Sequence, residues 1–157
     1  VLEELVRKLS ERYRKEAPST VQRGNIHQYL EVRVNFSKKE KVKFLMNDYK
    51  ELLLEEAADD MDDTATSPAT NHLFQVSDNP KKWDTRKAEM FHHMITRLLY
   101  LCKRIRGDLM TTVVFLTTRV LSPDEDNYNK LARCIKYVRS TKHAPLVTEL
   151  GDKFVMQ

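Results

Sequence analysis

The chain has 157 residues, 41% of them hydrophobic and 32% charged, with a formal net charge of +4 and a pI near 9.0. This length fits one domain, or a small subdomain followed by another, and the mild positive excess permits an anionic partner such as nucleic acid without requiring one. Only 3 glycines and 5 prolines argue against a β-sandwich, whose many turns would require more of both.

The first third of the chain changes from helical to strand periodicity. Apolar residues at helical spacing predict an amphipathic helix over residues 1–15. Residues 25–46 alternate apolar and polar side chains, which predicts a half-buried hairpin with Glu31 inside its first strand. A second helix is expected over residues 48–57, capped by Asn47.

The rest of the chain is predicted to be a loop followed by helices. Residues 58–84 have few apolar anchors, which indicates a linker or an irregular crossing loop. Helical periodicity returns at 85–105 and 108–121, and a third helix is expected after the Ser-Pro-Asp-Glu of 122–125, which has the form of a capping box. Residues 142–157 are expected to start a strand or to form a tail. The fold class expected is therefore α+β and mostly helical.

Two cysteines and the absence of apolar runs bear on the compartment. Cys102 and Cys134 lie in apolar helical stripes, which favours buried reduced thiols over a disulfide or a metal site. No run of 18 apolar residues occurs, so no membrane span is expected, and no charged-then-apolar leader opens the chain. We therefore expect an intracellular protein, cytoplasmic or nuclear and not secreted. Val1 already stands in helical register, which suggests a piece of something longer.

Two groups of side chains could hold a metal ion, and neither has a favourable context. The first group consists of Asp59, Asp60, Asp62 and Asp63. Carboxylate pairs can hold Mg²⁺, but these lead into a Ser-Pro loop without an apolar scaffold, so a solvated acidic linker is expected. The second group consists of Glu89, His92 and His93. The two histidines point about 100° apart on a helix and so cannot share one metal ion, and Glu89 and His93 share a face but have no third ligand at a suitable spacing. With no glycine-rich phosphate loop or nucleophile elbow, the sequence predicts no catalytic and no metal-binding residue in this chain.

The basic residues are more informative. Lys103, Arg104 and Arg106 gather at the end of one predicted helix. The polar side of the last helix carries Lys130, Arg133, Lys136 and Arg139. Such patches contact phosphates in nucleic-acid-binding proteins, and ordinary solvated helix faces look the same, so both interpretations stay open.

The order of motifs resembles one family. The motifs are "HQYLEVRVNFS", "KVKFLMNDY", "SPATNHLF", "FHHMITRLLYLCKRIRGDLMTTVVFLTTRV" and "YNKLARCIKYVRST". In this order they are similar to the reverse transcriptase of copia-type LTR retrotransposons, in the part of the Pol polyprotein that follows the catalytic aspartates. The resemblance spans roughly residues 1–150, and the succession from LLYL through RGD and TRV to SP is its most specific element.

The resemblance implies a division of the chain and a set of contacts. Residues 1–57 would be the end of the palm with the primer-grip hairpin, 58–84 a linker or loop, 85–141 a thumb-like helical bundle, and 142–157 the start of the connection or a tail. The primer-grip candidates are Tyr29, Leu30, Glu31 and Val32. The candidates for contacts with the nucleic-acid backbone are Lys103, Arg104, Arg106, Lys136 and Arg139.

The implied partner is an RNA/DNA template–primer duplex, held weakly by this chain alone, together with the upstream fingers and palm and the downstream RNase H of the parent polyprotein. No membrane partner is implied. A complete enzyme would be an RNA-directed DNA polymerase using Mg²⁺, but the family's metal-binding aspartates lie upstream of Val1. This chain alone is therefore expected to carry no cofactor and to be inactive.

The chain departs from the family pattern at three places. Glu31 stands where the family has glycine, Gly107 where it has proline, and the Val-Arg-Ser-Thr at 138–141 replaces a lysine-glycine pair. The Glu31 carboxylate would face primer phosphates, or alternatively lie exposed on the solvent side of the hairpin. The alternative to a polymerase fragment is a retroelement-derived binding or structural domain without catalysis, or a decayed remnant without function.

Overall fold

The computed structural model describes residues 2–13, 21–77 and 83–149, which form a mixed α+β fold, as predicted. The described helices are α1 (Leu2–Tyr13), α2 (Asn47–Glu55), α3 (Thr85–Arg104), α4 (Met110–Thr117) and α5 (Glu125–Ser140). The described strands are β1 (Ile26–Tyr29), β2 (Val32–Lys38), β3 (Lys41–Leu45) and β4 (Leu146–Glu149). All pairings in the sheet are antiparallel, in the order β1-β2-β3-β4.

The expected first strand of the hairpin is two strands joined by a tight turn, so the prediction that Glu31 lies inside a strand was wrong. Tyr29 pairs with Val32, which leaves Leu30 and Glu31 as a two-residue loop. Their φ angles are 46° and 64°, the left-handed conformation at both central positions that characterises a type I′ turn. This turn matches the right-handed twist of the flanking strands, but it usually carries Asn-Gly, and Leu-Glu lacks that signal.

The sheet packs one face against the helices. Val34 pairs with Phe44, and Val42, two residues earlier on β3, is buried. Phe44 and Val32 pack against the helical core. Arg33 pairs with Leu45 and therefore occupies the opposite face of the sheet, because side chains alternate along a strand.

One buried cluster joins α2, α3, α4 and α5. Its members include Met46, Leu53, Phe91, Leu98, Leu101, Leu109, Leu116, Leu131 and Ile135. Met61, in the predicted linker, is completely buried in the same cluster, and Leu73 is also buried. Burying a methionine side chain contributes about 1.5–3 kcal/mol, so the segment after α2 crosses the bundle as a packed loop.

Aspartates cap the two long helices of the bundle. The Asp84 side chain accepts a hydrogen bond from the Lys87 amide at 3.0 Å, and that of Asp124 accepts one from the Asn127 amide at 2.8 Å. The sequence predicted Ser122 as the cap of this helix, which is two residues too early, because α5 begins at Glu125 and is capped by Asp124. Asn47, the expected cap of α2, is instead its first helical residue.

Both cysteines are buried and free, as predicted, and burial raises the pKa of the Cys102 thiol to about 12. Of the described helices, none combines the length and the apolar character that crossing a bilayer requires.

The corner between α3 and α4 is built on a buried cation. Arg106, just after α3, is only 4% exposed, and its guanidinium donates to both carboxylate oxygens of Asp108 at 2.9 and 2.8 Å. It also donates to the hydroxyl of Thr141 at 2.9 Å, which ties the corner to the end of α5. Burial disfavours the charge, but the pair with Asp108 outweighs it and keeps the pKa of Arg106 above its ordinary value.

Lys50 of α2 is a second buried cation. Its ammonium donates to the carbonyl oxygen of Ala144 at 3.4 Å. Burial, together with the positive charge of Arg106, lowers the pKa of Lys50. Because Lys50 and Arg106 are both buried and repel each other, the stability of the fold depends on the ion pair of Arg106 with Asp108. An unpaired buried charge costs several kcal/mol.

Glu31→Gly should stabilise the protein by about 0.5–1 kcal/mol, because glycine removes the left-handed strain of a side chain while adding some unfolded-state entropy. Urea denaturation measures the change, and Glu31→Gln is the matched control that removes the charge and keeps the strain. The turn assignment is contradicted if the glutamine variant gains as much stability as the glycine variant.

Arg106→Ala should destabilise the protein by about 2 kcal/mol, since it leaves Asp108 and Thr141 without their partner in a partly buried corner. The same denaturation experiment on Lys103→Ala, an exposed cation three residues earlier, should show a change within about 0.5 kcal/mol. Equal losses in the two variants would contradict the structural role of Arg106.

Candidate nucleic-acid interface

The four primer-grip candidates lie together at the tip of the β1–β2 hairpin. Tyr29 ends β1, Leu30 and Glu31 form the turn, and Val32 begins β2. Tyr29 is 70% exposed and Leu30 51% exposed, whereas Val32 packs inward against the core. The tip therefore presents a tyrosine ring, an aliphatic side chain and one exposed carboxylate to solvent.

The turn rests on α3 through one long-range hydrogen bond. The hydroxyl of Tyr100 donates to the carbonyl oxygen of Leu30 at 2.8 Å. The Tyr100 ring lies 5.2 Å from the ring of Tyr49 on α2, measured between centroids. Burial raises the pKa of Tyr49, whose phenol stays protonated and donates to the carbonyl oxygen of Arg97 at 3.1 Å. Tyr100 thus attaches the turn to α3, and Tyr49 packs against Tyr100 from α2.

The same tyrosine places a cation beside the turn. The guanidinium of Arg104, one helical turn after Tyr100, lies 5.1 Å from the centroid of its ring. Lys103, the preceding residue of α3, is also exposed. Within residues 2–13, 21–77 and 83–149, neither Lys103 nor Arg104 forms an ion pair. We call Tyr29, Leu30, Glu31, Tyr100, Lys103 and Arg104 the turn–α3 surface.

Arg106 does not belong to this surface, which corrects the expected backbone contact. The sequence groups it with Lys103 and Arg104, but α3 ends at Arg104 and the chain then turns inward. A guanidinium that is 4% exposed and paired with Asp108 cannot reach a phosphate without opening the α3–α4 corner.

Lys136 and Arg139 form ion pairs with residues 59–63, which were expected to be a solvated acidic linker and which we call the acidic segment. Lys136 lies 3.8 Å from the carboxylate of Asp63, and Arg139 lies 3.0 Å from that of Asp62. The side chains of both cations are only 26% exposed. The acidic segment therefore covers this face of α5 with negative charge, which disfavours phosphate contacts there.

Another cluster of charged side chains lies between α2 and α3. Glu56 accepts hydrogen bonds from Arg97 and from the ring of His93. The guanidinium of Arg97 lies 5.4 Å from the Tyr49 ring centroid, with its charge already balanced by Glu56. Among the described residues, no three His, Cys, Asp or Glu side chains are grouped so that they could hold a metal ion.

Sequence reasoning did not identify Tyr49 and Tyr100 as residues that position the site. One signal was available, because Tyr100 and Arg104 are four residues apart on a predicted helix, where side chains meet. The contact between Tyr100 and Leu30 joins residues 70 positions apart, and no local pattern encodes it.

No family model, no curated protein and no solved structure matches this chain. The resemblance to copia-type reverse transcriptases therefore stays a prediction based on the motifs of the chain itself.

Proposed function

We propose that this chain is the grip-and-thumb part of a copia-type RNA-directed DNA polymerase, which holds a template–primer duplex. The observation that carries the proposal is the hydrogen bond from Tyr100 to the carbonyl oxygen of Leu30. It joins the two groups that the resemblance names separately, the primer-grip turn and the basic end of α3, in one surface.

The chemistry of the turn–α3 surface supports a nucleic-acid ligand. Arginine presents a planar group of donors that matches phosphate geometry, and the ring of Tyr100 beneath Arg104 holds that group in place. Exposed tyrosine rings such as Tyr29 offer stacking surfaces for nucleobases. Lysine beside them adds sequence-independent attraction to the backbone.

Three aspartates of the segment 59–63 are already engaged by side chains of α5, which does not suit the metal-dependent step of a polymerase. Such a step uses two Mg²⁺ ions that clamp the attacking and leaving oxygens. Asp60 accepts from the Tyr128 hydroxyl, and Asp62 and Asp63 face Arg139 and Lys136. The role proposed for this chain is therefore to bind and orient the duplex, with the aspartates of the family supplied by the upstream palm.

The chain should bind an RNA/DNA hybrid weakly and with strong salt dependence, because phosphate contacts release counterions. Lys103→Ala combined with Arg104→Ala should reduce the slope of log affinity against log salt by about 2, since each lost phosphate contact reduces it by about 0.9. Fluorescence anisotropy with a labelled hybrid measures both quantities, and Arg106 is left intact so that the fold is preserved.

The matched control for this experiment is Lys38→Ala with Lys39→Ala, which removes the same charge near the β2–β3 turn, at the other end of β2. The control should keep most of the affinity and most of the slope. Equal losses of affinity in the two double variants would mean that the duplex responds only to the net charge of the chain. If the wild-type chain does not bind the hybrid at low salt, the alternative of a retroelement-derived domain without a link to polymerisation is favoured.

The chain alone should not extend a primer, because its motifs resemble only the part of the family that follows the metal-binding aspartates. Incorporation of labelled thymidine nucleotide on a poly-A/oligo-dT template, with Mg²⁺ or Mn²⁺, should equal that of a control without protein. Extension above that control, abolished by Asp60→Asn or Asp62→Asn, would contradict the proposal that this chain only binds and orients the duplex.

A further inference from the structure

A small pocket lies where the starts of α3 and α5 meet the acidic segment. It has a volume of about 190 Å³ and is lined by Asp60, Trp83, Lys87, Met90, Glu125 and Tyr128. This is several times the roughly 30 Å³ that one water molecule occupies in the liquid, so the pocket can take a small organic group. It shares no residue with the turn–α3 surface.

Two aromatic rings form a corner of the pocket. The centroids of Trp83 and Tyr128 lie 5.2 Å apart, with the ring planes inclined at 63°. Trp83 also contacts Phe91 of the buried core, at 6.4 Å between centroids. The Tyr128 hydroxyl donates to the two carboxylate oxygens of Asp60 at 2.7 and 2.8 Å, and burial, assisted by this acceptor, raises the pKa of Tyr128. The phenol therefore stays neutral, and its ring is held in position.

The charges at the pocket favour a cation. Two carboxylates, Asp60 and Glu125, and one ammonium, Lys87, give the lining a net charge of −1. The ammonium of Lys87 lies 5.6 Å from the Trp83 ring centroid, so the indole face already attracts a positive group. Lys87 is exposed and can move away into solvent, where its charge is well hydrated.

We propose that this pocket binds a quaternary, fully methylated ammonium group. Such a group has no N–H donors that would need oriented acceptors, and its methyl groups contact ring faces and the thioether of Met90. Its positive charge interacts with the electron-rich faces of Trp83 and Tyr128 and balances the net negative lining.

Trp83 is the single tryptophan of the chain, so its fluorescence reports this pocket directly. The probe is tetramethylammonium chloride, titrated into the full chain at constant ionic strength against sodium chloride. The expected result is a saturable change in tryptophan emission that sodium does not produce. A change that is linear, or equal for the two salts, overturns the proposal.

Two charge variants test the electrostatics. Glu125→Gln should weaken binding about fivefold, the equivalent of about 1 kcal/mol, and Lys87→Gln should strengthen it by about the same factor because it removes the competing cation. Asp59→Asn is the matched control, since it removes an adjacent carboxylate that does not line this pocket, and should change affinity less than twofold. If all three variants bind like the wild-type chain, the proposal is wrong.

A second pair of ligands identifies the source of the group. Choline represents a free small molecule, and the methyl amide of N-acetyl-trimethyllysine represents a modified side chain. Binding by either, within about tenfold of the tetramethylammonium affinity, supports the proposal and names the source. Failure of both overturns it, because the pocket would then not accept the group on a natural carrier.

Discussion

The buried guanidinium of Arg106 is the constraint on which the arrangement of the helices depends. It lies at the corner where α3 ends, donates to Asp108 and Thr141, and stacks 5.4 Å from the ring centroid of Tyr137. A buried cation without such partners costs several kcal/mol, so the corner is held closed. Closing it fixes the end of α3 against the end of α5 and buries Arg106, whereas Lys103 and Arg104 just before it stay exposed.

The basic residues consequently have different roles although the sequence groups them together. Arg106 maintains the fold, and Lys136 and Arg139 are paired with the acidic segment across α5. Lys103 and Arg104 stay exposed at the end of α3, where Arg104 lies over the ring of Tyr100 and Tyr100 bonds to the hairpin turn. Of the cations that the sequence groups as backbone contacts, Lys103 and Arg104 are therefore the two that remain exposed and outside any ion pair within the described residues.

Local periodicity was enough to predict α3 and α5, because each has a clear apolar face, whereas β4 is exposed along its length and the sequence left a strand and a tail both open there. It could not show the turn at Leu30 and Glu31, since the apolar pattern continues through it and neither residue is a usual turn former. The role of Arg106 was also missed, although Asp108 two residues later was a local signal for an ion pair. The pairing of Asp62 with Arg139 depends on how a packed loop crosses the bundle, which no short-range pattern specifies.

The most direct test of the account is a photocrosslinking experiment, because the central claim is that the turn and the end of α3 form one surface. A hybrid duplex carrying 4-thiothymidine near the primer 3′ end would be irradiated with the chain, and the adducts mapped by mass spectrometry. We expect adducts on the peptide containing Tyr29 and Leu30 and on the peptide containing Tyr100, both reduced by Lys103→Ala with Arg104→Ala. Adducts confined to α5, or unaffected by that double substitution, would contradict the account.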